Sequence, residues 1–581
     1  MGNLTENNRG YGLFSLIIWL TAISSVWLMV GKNSSTLAQG VISAPSQEPS
    51  LPTIPPPLPS LEEIQPPTPN SPETNPVSPP IQGMLTVEKF EFIGSTVFSQ
   101  ERLAELTERF TQRPISYGEL TEAATIITQF YIDNGYYTSG AYLPSQSVKD
   151  GVVTIEILEG KLADIEITIE GRLNESYVRD RLELAAATPL NVPQLLEALQ
   201  LLQLDPIIKN IQSELASGTT SGTNILKVNI VTADTFDFRA VLDNGRVPSV
   251  GSFRRGTRIT ERNLTGNGDR LNLSYRNSDG SNDVEVSYTY PFTASNGTIT
   301  VGYRSLPSWI IEPPLDALSI SSNYDKYFIS IRHPVWQNPS EEFAVGLTFD
   351  HQKNQTDLGV LGRGFPITPG SDINGRTFIT SLRFFQEWTQ RDQEQVLAAR
   401  SDFNFGIDAL GNTEAYDAPF NPNAPETTYF LWRGQAQWAR LFAPETLFLV
   451  QTDIQIADRP IIPIEQFALG GLGSVKGYRQ NLRLTDNGFF TNVEFRYPVW
   501  QIPEESFVMQ VIPFFNIGTS WNNDRPEFNP NTLASVGLGL SWRINDNFNA
   551  RLDFAIRLTD VETREKNWQE NGIYFTVDMG I

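Results

Sequence analysis

The sequence predicts two small α/β modules followed by a 16-stranded antiparallel transmembrane β-barrel over residues 235–581. Three observations predict the barrel. Apolar and polar residues alternate along segments of about 8 to 12 residues, as in strands with one apolar face. Short connections between these segments alternate with long ones. After the first 38 residues, no apolar run is long enough for a membrane-spanning helix.

The alternation is clearest near the C-terminus. Leu552, Phe554 and Ile556 fall on one side of a predicted strand, and Arg551 and Asp553 fall on the other. Such a sheet either packs its apolar face on a protein core or turns it to lipid around a polar lumen. Sixteen strands of this kind are predicted, at residues 236–243, 256–262, 270–276, 282–290, 297–305, 326–333, 342–351, 376–387, 394–408, 427–440, 446–457, 489–499, 507–518, 533–542, 548–557 and 573–581.

The lengths of the connections favour the lipid-facing arrangement. Connections after even-numbered strands are mostly short, such as 263–269 and 389–392, whereas those after odd-numbered strands are mostly long, such as 409–426 and 458–488. Short turns at one end and long loops at the other are the layout of an outer-membrane barrel. The barrel must close, because an open sheet edge in lipid leaves backbone groups unpaired. A soluble β-sandwich is the alternative, but it does not sort loop lengths in this way.

Composition excludes several classes of function. The formal net charge of −23 argues against nucleic acid and anionic membrane surfaces as partners. The chain has no cysteine, so disulfides and thiolate chemistry are excluded. Its two histidines, His333 and His351, both fall inside predicted strands. We therefore expect no metal site, no catalytic residues and no enzymatic activity.

The N-terminal region predicts export. Residues 1–38 have the pattern of a signal peptide, with Arg9 ahead of an apolar stretch and small residues at Thr36 and Ala38 before the expected cleavage point. An uncleaved anchor is the alternative. Residues 39–84 are rich in proline and polar residues, which cannot form a core and favour an extended spacer.

Two similar modules are predicted between this linker and the barrel. Residues 85–160 have the order β-α-α-β-β, with Ser99 as a helix N-cap and with Ser116 and Glu119 forming a capping box. Residues 161–234 repeat the same order, which indicates an internal duplication. A small sheet with an accessible edge can bind an extended peptide as an added strand. The alternative is that the modules act only as spacers.

Several motifs support a family resemblance that extends from about residue 85 onward. They are the segments 129–144 and 151–160 of the first module, Asp243-Asn244-Gly245, the turn 263–269 and the glycine-rich loop 465–479. With these motifs the chain resembles the ShlB/FhaC/HecB family of two-partner-secretion outer-membrane transporters (TpsB, hemolysin activation/secretion proteins), within the BamA superfamily.

The resemblance implies a location and a mechanism. Residues 85–160 would be a ShlB-type POTRA domain and residues 161–234 a second POTRA domain, both in the periplasm, with the barrel in the outer membrane. The implied function is export of a partner exoprotein without nucleotide hydrolysis or any other cofactor. The implied partners are that unfolded exoprotein, bound by the POTRA modules, the outer-membrane lipid, and the barrel-assembly machinery during biogenesis.

The resemblance also assigns a candidate site. Val475, Lys476, Gly477 and Tyr478 resemble the superfamily's V-R-G-Y/F loop, which folds into the barrel lumen. In the family the arginine of this loop pairs with an aspartate on the wall, where this chain has Asn516, two residues before Gly518. Lysine and asparagine cannot form a bidentate guanidinium–carboxylate pair. The loop is therefore expected to dock less firmly, through an ammonium-to-amide hydrogen bond to Asn516 or a contact of Lys476 with Glu494.

The predicted pore lining has mixed charge, which would hydrate a passing chain without binding it tightly. Some family members carry an N-terminal helix that occupies the pore. The segment between Gln39 and the prolines is too short for one, so we expect any plug to come from the loops. Besides Glu494, the inward-facing candidates are Arg496, Arg551, Asp553, Arg557 and Asp578.

Three other functions are weighed against secretion. A BamA-like insertase usually has more than two POTRA modules. A passive pore for small solutes needs neither peptide-binding modules nor a lumen loop. An outer-membrane hydrolase needs a nucleophile and base that this sequence does not present. The glycine-rich loop does not predict a nucleotide site, because it lacks the phosphate-loop pattern and opens no helix.

Overall fold

The computed structural model describes residues 84–562 and 567–580. The predicted signal peptide and all but the last residue of the predicted linker lie outside the described residues. Within the described part of the chain, no helix has both the length and the apolar character needed to cross a membrane.

The first module contains a three-stranded sheet and two helices. Its sheet is formed by Lys89–Ile93, Val152–Leu158 and Gly140–Tyr142 in this order, with the first two strands parallel, and Leu85–Val87 pairs separately with Arg113–Ile115. The predicted caps are present: Ser99 accepts a hydrogen bond from Arg102 N, and Ser116 and Glu119 form a capping box. The elements are β1 (Leu85–Val87), β2 (Lys89–Ile93), α1 (Gln100–Thr107), β3 (Arg113–Ile115), α2 (Tyr117–Asp133), β4 (Gly140–Tyr142) and β5 (Val152–Leu158).

The second unit has a similar three-stranded sheet and two helices, but among its described residues it has no counterpart of the separate two-stranded pair. Its sheet is formed by Lys161–Glu170, Thr223–Thr232 and Ile208–Ser217 in this order, with the first two strands parallel. Leucine, isoleucine and valine side chains from both helices and all three strands form its core. The elements are β6 (Lys161–Glu170), α3 (Glu175–Glu183), α4 (Val192–Gln203), β7 (Ile208–Ser217) and β8 (Thr223–Thr232).

Sixteen long antiparallel strands form the closed barrel that the sequence predicts. The last strand pairs with the first, with Thr576 opposite Asp243, so the sheet has no open edge. The strands are β9 (Phe236–Asp243), β10 (Arg254–Glu261), β11 (Arg270–Ser278), β12 (Ser281–Pro291), β13 (Thr298–Trp309), β14 (Ile320–Gln337), β15 (Glu341–Leu358), β17 (Arg376–Arg391), β18 (Gln395–Ile407), β19 (Tyr429–Ala443), β20 (Thr446–Ala457), β23 (Asn487–Ile502), β24 (Phe507–Trp521), β25 (Thr532–Ile544), β26 (Phe548–Arg557) and β27 (Ile573–Gly580).

β3 lies between the two helices of the first module, so the predicted order β-α-α-β-β is incomplete there. Three short strands outside the modules were also not predicted. β16 (Arg363–Gly364) pairs with the end of β15, while β21 (Phe467–Leu469) and β22 (Arg483–Thr485) form a hairpin separate from the barrel sheet. The predicted long loops 306–325 and 352–375 are partly wrong, because β14 begins at Ile320 and β15 continues to Leu358. Polar residues occur on both faces of these strand ends, so the alternation that marks a strand is lost there.

The two faces of the barrel differ as the alternation predicts. On β26, Leu552, Phe554 and Ile556 point outward and are 42%, 52% and 55% exposed. Asp553, between them in sequence, is 2% exposed and points into the lumen. The outer surface is therefore suited to lipid, and the polar groups lie inside.

The second unit contacts the turns at one end of the barrel. Arg172 Nη2 lies 2.8 Å from Glu261 Oε1, and Arg181 donates to Asn296 Oδ1 at 3.0 Å and 3.2 Å. The Tyr177 ring lies against Gly268, where an added Cβ would be only 2.5 Å from the ring. Burial and the Asp205 carboxylate raise the pKa of Tyr177, so its hydroxyl stays protonated and donates to Asp205. These contacts identify the end of the barrel that faces the modules.

Candidate functional site

The connection from β20 to β23, residues 458–486, folds into the barrel, and we call it the lumen loop. It contains the β21–β22 hairpin and, between these two strands, the four predicted motif residues. Val475 and Tyr478 are fully buried, and Lys476 is 6% exposed. The loop therefore packs against the inner wall.

Glycines allow the tight path of the loop. Gly470, Gly471 and Gly477 have φ values of 106°, 103° and 94°, a region that residues with a Cβ rarely adopt. Gly471 N donates to Val475 O at 2.9 Å, which closes the turn before Lys476. An added Cβ at Gly477 would lie 3.2 Å from Arg557 Cγ on the wall. Both the backbone conformation and the close packing thus require glycine at position 477.

Gly518 provides the matching space on the wall. It lies on β24, and an added Cβ there would be 2.4 Å from Leu469 Cδ1 and 3.3 Å from Val475 Cγ2. These two distances involve side chains of the lumen loop. The missing side chain at this position therefore leaves room for the loop to dock.

Lys476 contacts the wall through two groups. Its backbone N–H donates to Asn516 Oδ1 at 3.2 Å, whereas the sequence suggested that the ammonium group would make this bond. The ammonium instead lies 2.8 Å from Asp553 Oδ2 and 3.6 Å from Glu494 Oε1. It also lies 4.5 Å from the centre of the Phe514 ring, within the range of a cation–π contact.

The two carboxylates that hold Lys476 are shared with arginines. Arg551 donates to Glu494 at 2.8 Å and 3.0 Å, and its Nε donates to Asp553 at 2.8 Å and 3.0 Å. Arg496 Nη2 lies 3.2 Å from Glu494 Oε2. Glu494 and Asp553 are 3% and 2% exposed, so this network is screened little by solvent. It is a buried electrostatic contact between the loop and two strands of the wall, β23 and β26.

Two tyrosines hold the tip of the loop. Tyr478 Oη donates to Ala534 O at 2.7 Å and accepts from Thr559 N at 3.1 Å. Tyr574 on β27 accepts from Gly477 N at 2.9 Å and donates to the Tyr478 carbonyl oxygen. The backbone of the motif is thus hydrogen-bonded to the wall independently of the charged network.

Ion pairs fasten the lumen loop at two further places. Glu465 lies 2.7 Å from Arg383 Nη2, and Arg383 also pairs with Asp350. Arg479, directly after Tyr478, donates to Glu312 in the β13–β14 connection at 2.9 Å. The sequence did not single out Arg383, Asp350 or Glu312, although Glu465 and Arg479 are the first and last residues of the glycine-rich segment.

The remaining predicted lining residues lie in different surroundings. Arg557 packs beside Gly477. Asp578 pairs with Arg239 at 2.8 Å, nearer the module end of the barrel, and does not contact the lumen loop. Arg496 joins the network only through Glu494. Most of the predicted lining residues therefore form ion pairs, either with the lumen loop or with other charged residues of the wall.

The lumen loop is held to the inner wall by hydrogen bonds and ion pairs, chiefly at Glu465, at Lys476 to Tyr478 and at Arg479. Among residues 84–562 and 567–580, no group of three or more His, Cys, Asp or Glu side chains is arranged to hold a metal ion.

Sequence comparisons identify the family that the chain resembles. The model of the family described as "Haemolysin secretion/activation protein ShlB/FhaC/HecB" matches residues 222–542, and that of the ShlB-type POTRA domain matches residues 85–160. The chain is 21% identical to the Heme/hemopexin transporter protein HuxB of Haemophilus influenzae (strain 86-028NP), over 76% of this chain and 78% of HuxB. It is 22% identical to the outer membrane transporter CdiB of Dickeya dadantii (strain 3937), over 72% of this chain and 73% of CdiB.

Solved structures show the same fold. CdiB from Escherichia coli superimposes with a TM-score of 0.67 at 18% identity, covering 90% of this chain and 94% of CdiB. BamA from Haemophilus ducreyi lacking POTRA domains 1–3 superimposes with a TM-score of 0.51 at 15% identity, covering 85% of this chain and all of that structure.

Proposed function

The chain belongs to the haemolysin secretion/activation protein family ShlB/FhaC/HecB, outer-membrane transporters with a periplasmic POTRA domain, and from this premise we propose that it exports one partner exoprotein. Both units between residues 85 and 234 act as POTRA modules in this proposal and receive the unfolded exoprotein. The unfolded exoprotein then passes through the barrel lumen after the lumen loop has moved. This step uses no nucleotide.

One observation carries the proposal. The lumen loop is bound inside a closed barrel, and the second of the two modules contacts the turns at one end of that barrel. A passive solute pore does not need this combination. The family model and the curated relatives also favour secretion over a BamA-like insertase.

The module sheets supply the binding surface through their edges. β7 pairs with β8 only, so its other side is an edge ten residues long. Gln203 covers the start of this edge, since its amide accepts from Ile211 N at 3.0 Å and donates to Lys209 O at 3.4 Å. The edge of β4 is three residues long, and Thr128 Oγ1 accepts from its Ala141 N at 2.9 Å. We therefore assign strand addition to the later part of β7.

Because the chain has no cysteine, single cysteines can map this contact. Gln212→Cys and Glu214→Cys place thiols at exposed positions of β7, and Thr168→Cys on the opposite edge strand β6 is the matched control. We expect disulfide cross-links from β7 to cysteines scanned along the N-terminal region of the partner exoprotein. Cross-links from Thr168→Cys alone would contradict the assignment to β7.

Deleting residues 85–232 tests the proposal as a whole. The variant is expected to form a heat-modifiable barrel and to conduct ions, but to leave the exoprotein in the periplasm. Normal secretion by this variant would contradict a role for the modules. General loss of outer-membrane proteins would instead favour the insertase.

A further inference from the structure

Arg246 is buried in an arginine-rich part of the lumen, at the end of the barrel away from the modules. It follows β9 in the connection to β10 and is 3% exposed. The charged groups around it are Asp283, Arg254, Arg276 and Arg304. These residues come from the first five strands of the barrel and their connections.

The carboxylates in this cluster are already engaged by other arginines. Asp283 lies 2.9 Å and 2.7 Å from Arg304 nitrogen atoms and 3.1 Å from Arg276 Nη2. Asp243 accepts from Arg254 Nε at 2.9 Å and from Gly245 N at 2.6 Å. A further carboxylate, Glu285, is 4.0 Å from Arg276 and is 37% exposed. The two buried carboxylates, Asp243 and Asp283, are thus each paired with an arginine other than Arg246.

The Arg246 side chain has polar atoms without a partner. Its Nε and Nη2 are buried, and no described residue accepts a hydrogen bond from either atom. The backbone is held in place, since Arg246 N donates to Ser252 O at 3.2 Å and Arg246 O accepts from Gln569 Nε2 at 2.8 Å. A guanidinium does not lose its proton in a protein. The buried positive charge of Arg246 therefore requires a nearby anion.

The position of Arg246 connects it to the lumen loop. Gly245 lies against Leu472 of that loop, and an added Cβ at Gly245 would be 2.9 Å from Leu472 Cδ2. A small movement of the loop would therefore open space beside the neighbouring arginine.

We propose that Arg246 and the arginines around it bind an oxyanion, a carboxylate or a sulfate- or phosphate-like group, beside the lumen loop. The unpartnered Nε and Nη2 provide parallel N–H donors, the arrangement with which arginine binds such groups. The occupant is either a small ion or an acidic side chain of the polypeptide in transit. This site goes beyond the proposed function, because oxyanion binding can be measured without secretion.

The test uses purified full-length protein in detergent and sulfate as the probe. Sulfate replaces chloride at constant ionic strength while thermal unfolding is followed by tryptophan fluorescence. Wild type is expected to gain a saturable rise in Tm, as a ligand specific for the folded state produces. Arg246→Gln should lose the saturable component. Arg255→Gln, at an arginine whose side chain is 53% exposed, should keep it.

An equal saturable rise in Arg246→Gln and wild type would overturn the proposal, as would the absence of one in wild type. Heat-modifiable migration on a gel checks that each barrel has formed. If Arg246→Gln does not assemble, Arg246→Lys serves, and its sulfate affinity is expected to be about tenfold lower because the fork of donors is lost. Unchanged affinity in Arg246→Lys would also overturn the proposal.

A competition experiment distinguishes the two sources of oxyanion. A glutamate-containing peptide and its glutamine counterpart are added at half-saturating sulfate. Displacement by the first peptide alone assigns the site to acidic side chains of the passing chain. Displacement by neither assigns it to a small ion. Displacement by both would show that charge is not recognised and would overturn the proposal.

Discussion

Lys476 Nζ lies 2.8 Å from Asp553 Oδ2, so the charged end of the loop motif is paired with β26, not with Asn516 on β24. In the family pattern, the wall partner of the loop cation stands at the position of Asn516. This chain has an amide at that position, and two carboxylates, on Asp553 and Glu494, lie within 4 Å of the ammonium. The loop is therefore held by a charge contact with a different wall partner.

Asp553→Asn is expected to loosen the lumen loop. It leaves Lys476 with Glu494 at 3.6 Å and removes one of the two carboxylates bound by Arg551. Removing one partner from a buried pair typically costs about 3–5 kcal/mol. We expect a lower Tm and more frequent channel opening in planar bilayers. Asp578→Asn is the control, because its partly exposed pair with Arg239 should contribute less than about 1 kcal/mol. Equal channel activity in the two variants would show that Asp553 does not anchor the loop.

A double-mutant cycle tests whether the family pair can be restored. Asn516→Asp alone buries a carboxylate beside Asn492, and we expect it to destabilise the protein. Adding Lys476→Arg supplies a guanidinium that can reach the new carboxylate. The expected coupling energy is about 0.5–3 kcal/mol, measured from thermal or denaturant unfolding. Additive effects of the two substitutions would contradict the contact.

Gly518→Ala should prevent the lumen loop from docking. The new methyl group would overlap Leu469, whose Cδ1 is 2.4 Å from the ideal Cβ position. We expect increased resting conductance from a barrel that still assembles, and adding Leu469→Ala should restore a low conductance by removing the clash. Gly473→Ala, in the lumen loop itself, is the control for a glycine-to-alanine change, because an added Cβ there meets nothing within 4 Å. If Gly473→Ala raises conductance as much as Gly518→Ala does, steric exclusion is not the cause.

The barrel could be predicted from the sequence because its signals are local. On β26, the alternation of Leu552, Asp553 and Phe554 identifies the strand and its two faces without any knowledge of distant residues. β16, β21 and β22 were missed because two or three residues are too few to establish a period.

The site was harder to predict, since its contacts join residues far apart in sequence. Alternation placed Asp553 in the lumen, but its pairing with Lys476 depends on how the closed barrel brings β26 to the loop. Tyr574 lies four residues before Asp578 on the same strand and therefore on the same face, yet nothing local indicates that its hydroxyl contacts Gly477. Arg246 lies in an irregular connection, where periodicity gives no information about burial.

Tyr574→Phe tests the backbone contacts of the loop separately from its charges. The Tyr574 hydroxyl accepts a hydrogen bond from Gly477 N at 2.9 Å and donates one to Tyr478 O. Phenylalanine preserves the ring but leaves both of these buried backbone groups without the hydroxyl partner. Such a loss typically costs about 1–3 kcal/mol. We expect a lower Tm and more frequent channel opening at unchanged heat-modifiability. Tyr497→Phe, at an exposed position that is 54% accessible, should change neither property. The substitution leaves Lys476, Asp553 and Glu494 intact. An effect in Tyr574→Phe alone would therefore show that the charged network is insufficient to hold the tip of the loop. Equal behaviour of the two variants would show that the charged network is sufficient.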